Sequence, residues 1–236
     1  MQPLQIRRFL SRTELDTALA DRLAHAIGAA SSGGTAIMLS GGHTPLPAYR
    51  QVAERLALAP RRIGALHLLY SDDRYVPADS EASNFHSTRP LLDALRLPEE
   101  HVLRVRTELP LEEAALDYER RLRALLDSGV SISLGLLGLG ADGHTASLFR
   151  SEDLERARGR MAIAVQRPDG MSGVSVTPEF LAHVAEPLFV VAGDGKQAAI
   201  QALERADPAI VAVRAVQNCP QVQLWVDGPA EQGAAA

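Results

Sequence analysis

The chain has 236 residues, 46% of them hydrophobic and 22% charged, which suits one α/β domain and excludes disordered and fibrous classes. A net charge of −5, a pI near 5.8 and only 4% aromatic residues argue against a nucleic-acid binder, whose footprint is basic and rich in stacking side chains. No apolar run approaches the roughly 18 residues that span a bilayer, and the lone cysteine, Cys219, excludes an internal disulfide and makes a thiolate metal cage implausible.

Arg7, Arg8 and Arg12 have no apolar core behind them, so the N-terminal segment does not read as a signal peptide, and a cytoplasmic protein without membrane attachment is expected. Thr13–Ala30 then carries Leu15, Leu19, Leu23, Ala26 and Ile27 on one helical stripe, stopped by Ser32-Gly33-Gly34. Strands are predicted at Thr35–Ser40, Ala65–Ser71, Ile132–Leu139, Met161–Val165, Gly173–Val176, Leu188–Ala192 and Gln221–Val226. Helices are predicted between them at Leu46–Leu58, Leu111–Ser128, Pro178–Val184 and Gly195–Glu204, the second of these opened by Glu112 and Glu113. This alternation is the pattern of a doubly wound α/β fold with a mostly parallel sheet and helices on both faces. With no repeat and no Pro/Ser linker, residues 1–236 read as a single domain ending in a short, disordered, Ala-rich tail at about 229–236.

Ligands of such folds sit in loops at the carboxyl ends of strands, and three of those loops stand out. In Ser40-Gly41-Gly42-His43-Thr44-Pro45 the glycines let backbone N–H groups approach an anion at a helix start, with hydroxyls from Ser40 and Thr44; the same residues also suit an ordinary strand-to-helix turn. Ser71-Asp72-Asp73-Arg74, with Ser83-Asn84 further on, sets carboxylates beside a guanidinium, either to hold a polyol and an anion or as a solvated turn paired within itself. Gly138-Leu139-Gly140-Ala141-Asp142-Gly143 spells G-x-G-x-x-G, yet Asp142 would put a carboxylate in a loop meant for a pyrophosphate. Asp142-Gly143-His144 instead sets a carboxylate beside an imidazole, the arrangement that fixes a histidine tautomer and raises its basicity. Lys196 is the only lysine among the 24 basic residues, in Gly193-Asp194-Gly195-Lys196, where a compact ammonium replaces the usual guanidinium. No G-x-S-x-G elbow and no H-E-x-x-H spacing occurs, so a serine-nucleophile or zinc mechanism is not expected.

Together, Ser40 to Pro45, Asp72 to Pro77 with Ser83-Asn84, and Gly138 to Phe149 resemble the 6-phosphogluconolactonase family, in the group that includes glucosamine-6-phosphate deaminases. The resemblance runs from about Thr35 to Asp227. It implies a Rossmann-like fold and hydrolysis of 6-phosphoglucono-δ-lactone in the oxidative pentose phosphate pathway, with a sugar-phosphate lactone as the small-molecule partner and no cofactor or metal. Carried over, His144 is the general base held by Asp142, while Ser40, Gly41, Gly42, Thr44, Asp72, Arg74, Asn84 and Lys196 form the substrate and phosphate site. Departures are His43 where serine is usual, Asp73 where glutamate is usual, Arg150 in place of a proline, and Gly173 where an arginine is common; Arg167 and His43 are the residues that could compensate for the last. A deaminase is the alternative, but the place of its relay carboxylate is taken by Phe149. An NADP-binding oxidoreductase would rest on the G-x-G-x-x-G match alone, and a non-catalytic sugar-phosphate sensor would need neither Asp142 nor His144.

Overall fold

The computed structural model describes residues 4–30, 34–58 and 66–228. Ser32, Gly33, Ala65 and the tail at 229–236 lie outside them. In chain order the elements are β1 (Gln5–Phe9), α1 (Arg12–Ala29), β2 (Thr35–Leu39), α2 (Leu46–Leu58), β3 (Leu66–Tyr70), β4 (Asp72–Arg74), α3 (Asn84–Ser87), α4 (Arg89–Leu95) and β5 (Val102–Leu103). They continue with α5 (Leu111–Asp127), β6 (Ser131–Leu137), α6 (Ser151–Arg156), β7 (Ala162–Gln166), β8 (Ser172–Val176), α7 (Pro178–Leu181), β9 (Pro187–Val191), α8 (Gln197–Glu204), α9 (Val211–Ala215) and β10 (Gln223–Asp227).

Seven strands form one parallel sheet in the order β1-β10-β9-β6-β2-β3-β5. Its inner strands are buried on both faces, so they read as apolar runs whose alternate residues feed two cores, while the edge strand β1 is exposed up to Phe9. Ile37 and Leu39 of β2 pack with Leu15, Leu19 and Leu23 of α1, while Ala36 and Met38 join Tyr118 and Leu122 of α5 on the opposite face. The fold is thus α/β and doubly wound. From β2 the chain moves outward through β3 to β5, then returns to place β6 on the other side of β2. Between β2 and β6 the winding reverses, and a crevice opens there at the strand carboxyl ends. Both Gly-rich loops that follow these strands meet at that point.

Two predicted strands do not join the parallel sheet. Met161–Val165 and Gly173–Val176 become β7 and β8 of a separate three-stranded antiparallel sheet, β4-β8-β7. The reason is local. Only Arg167 to Met171 separate them, closed by Arg167 N–H on Met171 O at 2.9 Å, with Gly170 at φ +83°. A parallel crossover needs a dozen residues or more. The Pro168-Asp169-Gly170 turn was the signal for a hairpin. β4 follows β3 after Ser71 and pairs Arg74 with Gly173, and through Asp72, Arg74 and Arg167 the small sheet and its hairpin turn supply part of the cleft wall.

Candidate active site

The Asp142–His144 pair is built by glycines. Gly143 takes φ +81°, and Gly140 N–H donates to His144 O at 2.9 Å, curling the loop back on itself. Gly140 carries no side chain because the pair fills that space: a Cβ there would stand 2.1 Å from His144 Nδ1 and 2.5 Å from Asp142 Oδ1. His144 Nδ1 lies 2.5 Å from Asp142 Oδ1, which also accepts the His144 backbone N–H at 3.2 Å. Burial pushes the Asp142 carboxyl up, but these bonds to His144 outweigh it and hold the group below the usual carboxylate range. An ionised carboxylate only accepts, so Nδ1 carries a proton, and in the neutral ring Nε2 then presents its lone pair. The Phe149 ring lies 4.3 Å from the imidazole, centroid to centroid.

A cleft of about 300 Å³ opens beside His144, and its walls include that residue with Ser40, Gly41, Gly42, Thr44, Asp72, Arg74, Asn84 and Lys196, while Asp142 stands behind the imidazole outside the lining. All eight residues expected to bind substrate are therefore brought together. The first loop leaves β2 under the clamp of Tyr49, whose hydroxyl accepts from Ser40 N–H at 3.2 Å and donates to Ser40 O at 2.9 Å. Gly42 turns at φ +81°, and Arg12 of α1 donates to Thr44 O at 2.9 Å, pinning the loop from outside. Gly41 must lack a Cβ, which would stand 1.7 Å from Asn84 Oδ1.

Arg74 donates to that same Asn84 Oδ1, and Asn84 Nδ2 donates to Asp72 O at 2.8 Å. The Asp72 and Asp73 carboxylates do not form a solvated turn. Asp72 is 6% exposed and accepts from Ser71 Oγ at 2.8 Å and Ser147 Oγ at 2.6 Å, so it braces the cleft wall. Asp73 turns away from the Arg74 guanidinium and accepts from the N–H groups of Arg74, Asn84 and Phe85, tying β4 to the start of α3. Burial pushes its pKa up to about 6 against the pull of those donors. Lys196 caps α8 rather than lying inside it, as a helix starting at Gly195 would require. Its burial lowers the ammonium below the ordinary lysine range, Asp227 opposing and Arg12 adding to the effect.

Arg167, after β7, also lines the cleft. Its contribution is set by the hairpin, a tertiary feature. A larger cavity, about 900 Å³, opens beside β5 among Phe85, Arg89, Arg104 and Arg121, and none of the three loops' glycines or His144 reaches it. The 300 Å³ cleft is the one that His144 and the glycine loops line. The G-x-G-x-x-G loop does not start a helix: α6 begins only at Ser151, so no helix N-terminus stands ready for a pyrophosphate there. Among the described residues no group of three or more His, Cys, Asp or Glu side chains could hold a metal ion, and no helix is long and apolar enough to cross a membrane.

A parallel sheet with a cleft at its switch point, walled by an imidazole and a glycine loop flanked by cations, defines the class: a doubly wound α/β protein with a cleft at the carboxyl ends of its strands. Residues 10–225 match the family of glucosamine-6-phosphate isomerases and 6-phosphogluconolactonases, and the chain belongs to that family. Relatives include the 6-phosphogluconolactonase of Thermotoga maritima, 36% identical over 68% of this chain and 70% of that one, and that of Homo sapiens, 34% identical over 84% and 81%. The crystal structure of the Thermotoga maritima 6-phosphogluconolactonase superposes with a TM-score of 0.80 at 27% identity, covering 96% of this chain and 100% of that one. A monomeric glucosamine-6-phosphate deaminase shares the fold at a TM-score of 0.80, with 16% identity and coverage of 95% and 97%.

Proposed function

We propose that the chain hydrolyses 6-phospho-D-glucono-1,5-lactone to 6-phosphogluconate, as a cytoplasmic enzyme of the oxidative pentose phosphate pathway, with His144 as general base. The observation that carries this reading is the ionised Asp142 on His144 Nδ1, which leaves Nε2 as a base facing a cleft with cationic walls. His144 Nε2 takes a proton from water as the water oxygen attacks the lactone carbonyl carbon. The tetrahedral oxyanion then collapses, the bond to the ring oxygen breaks, and the proton passes to that oxygen to leave a hydroxyl and a carboxylic acid. The acid ionises at neutral pH. Asp142 stabilises the transient imidazolium and keeps the ring in place. Ser40, Gly41, Gly42 and Thr44 line the sugar-phosphate site, and Arg74 and Lys196 supply its positive charge. Phe149 beside the imidazole offers no carboxylate for the ring-opening relay of a deaminase.

Stopped-flow or NMR measurement of lactone hydrolysis above the spontaneous rate tests the proposal. The native chain should hydrolyse the phosphorylated lactone, and His144→Ala should lower kcat at least about 10²-fold with KM little changed. Retention of more than a third of native kcat would remove His144 as the base, and ammonia release from glucosamine 6-phosphate by the native chain would overturn the assignment.

A further inference from the structure

The β7–β8 hairpin delivers one more cation to the cleft. The Arg167 side chain runs across Gly173 of the neighbouring strand, where a Cβ would stand 3.5 Å from Arg167 Cδ and 3.0 Å from Asp73 O. A longer side chain at 173 would compete for the channel that the arginine uses. The guanidinium is then fixed from several sides. Nε and Nη2 donate to Asp169 Oδ2 at 3.1 and 2.9 Å, Nη1 donates to Ser147 Oγ at 2.8 Å, and Cζ lies 5.2 Å from the Phe149 ring centroid. Ser147 donates its own hydroxyl to Asp72 Oδ2 at 2.6 Å, so the anchor continues into the buried start of β4.

A guanidinium has five N–H donors. Bonds to described residues use three of Arg167's, leaving one on each terminal nitrogen. Its side chain is 12% exposed and forms part of the cleft wall. Two N–H groups on one rigid fork, partly desolvated and already oriented, match two oxygens of a phosphate better than a hydroxyl or a carbonyl.

We propose that Arg167 is a specificity-determining residue of this cleft for a phosphorylated over an unphosphorylated substrate, its stem using the space beside Gly173 and its fork taking two phosphate oxygens in the cleft. The proposal rests on the reading of the chain as a phosphorylated-lactone hydrolase and deepens it. Asp169 and Ser147 are positioning residues, holding the fork before substrate arrives.

The test compares kcat/KM on phosphorylated and unphosphorylated gluconolactone for the native chain, Arg167→Gln and Arg167→Lys, alongside calorimetric Kd values for 6-phosphogluconate and gluconate. Arg167→Gln should lower the ratio of the two kcat/KM values about 10–100-fold, through KM, and weaken 6-phosphogluconate binding by the same factor. Arg167→Lys, which keeps the stem over Gly173 and the charge, should recover only part, because an ammonium is not bidentate. An unchanged ratio, or equal losses on both lactones, would overturn the proposal, and circular dichroism verifies that each variant is folded. If Arg167→Gln does not fold, Arg167→Lys decides by the same ratio. A native chain that hydrolyses neither lactone would sink the functional reading; the proposal for Arg167 then stands or falls on the 6-phosphogluconate Kd alone.

Discussion

At the scale of single residues, the proposed tasks of the cleft divide between one base, His144, and several kinds of cation. Asp142 and His144 act as a unit, because the carboxylate that fixes the tautomer is two residues from the ring it fixes. Lys196 differs from the arginines around it. Its charge is compact, half removed from water, and carried at the N-cap of α8, where the helix N-terminus adds to the positive potential. Desolvation weakens the ammonium until an anion arrives to compensate it. Lys196→Ala should therefore raise KM for the phosphorylated lactone by a factor equivalent to about 1.5–3 kcal/mol, the magnitude of a charge-assisted hydrogen bond. Lys196→Arg should restore part of the loss, since a planar fork does not occupy the same position. Steady-state KM values for both lactones check this, and equal losses on the two would assign Lys196 to the fold or the chemistry instead.

At the scale of elements, short connections decide where the side chains go. β4 is three residues long and owes its place to Asp73, whose carboxylate gathers the N–H groups opening α3 while Ser83 adds a hydroxyl at 3.1 Å. That bridge sets Asn84 against Gly41 and Arg74 against Gly173. It also gives the protein a pH dependence with a definite sign. Because burial raises the Asp73 pKa from 3.8 to about 6, the folded state binds this proton more tightly than the unfolded chain. The stabilisation is fully present below about pH 4 and is lost as the pH rises through 6, a change of about 2–3 kcal/mol. Urea unfolding of the native chain and of Asp73→Asn, from pH 4 to 7, should show the native advantage shrinking by that amount. A difference independent of pH would return Asp73 to ordinary behaviour.

At the scale of the whole molecule, the sheet and its flanking helices are joined by buried hydroxyls as well as by apolar packing. Tyr118 of α5 donates to Tyr70 O at 2.6 Å and accepts Tyr70 N–H at 3.0 Å, both on the last residue of β3. Tyr49 does the same for Ser40 at the end of β2. These pairs satisfy backbone groups where the parallel ladder stops and the site begins. Tyr118→Phe leaves one buried donor and one buried acceptor on β3 without that partner. It should lower stability by about 1–3 kcal/mol, read as a fall in Tm, while kcat of the folded protein stays close to native. No change in Tm would mean that water replaces the hydroxyl.

Much of this architecture was legible in the residues. β2, β3, β6, β9 and β10 are apolar because a parallel sheet is covered on both faces, and α1, α2 and α5 carry the stripes that cover it. The three loops were legible for a related reason: glycines at 41, 140 and 143 are required where a neighbouring side chain or a positive φ leaves no room for a Cβ, and such requirements show in a sequence. β1 was not legible, because an edge strand with an exposed Gln5-Ile6-Arg7-Arg8 has no apolar alternation to betray it, and β5 is only two residues long. The hairpin of β7 and β8 was written in the Pro168-Asp169-Gly170 turn, but tertiary structure alone decided that it pairs with β4 rather than the main sheet, that Asp73 faces α3 rather than Arg74, and that Arg167 crosses Gly173 into the cleft. Periodicity reports which faces of an element are buried. Which neighbour buries them, and which distant side chain fills the space beside a glycine, depends on pairings between residues far apart in the chain.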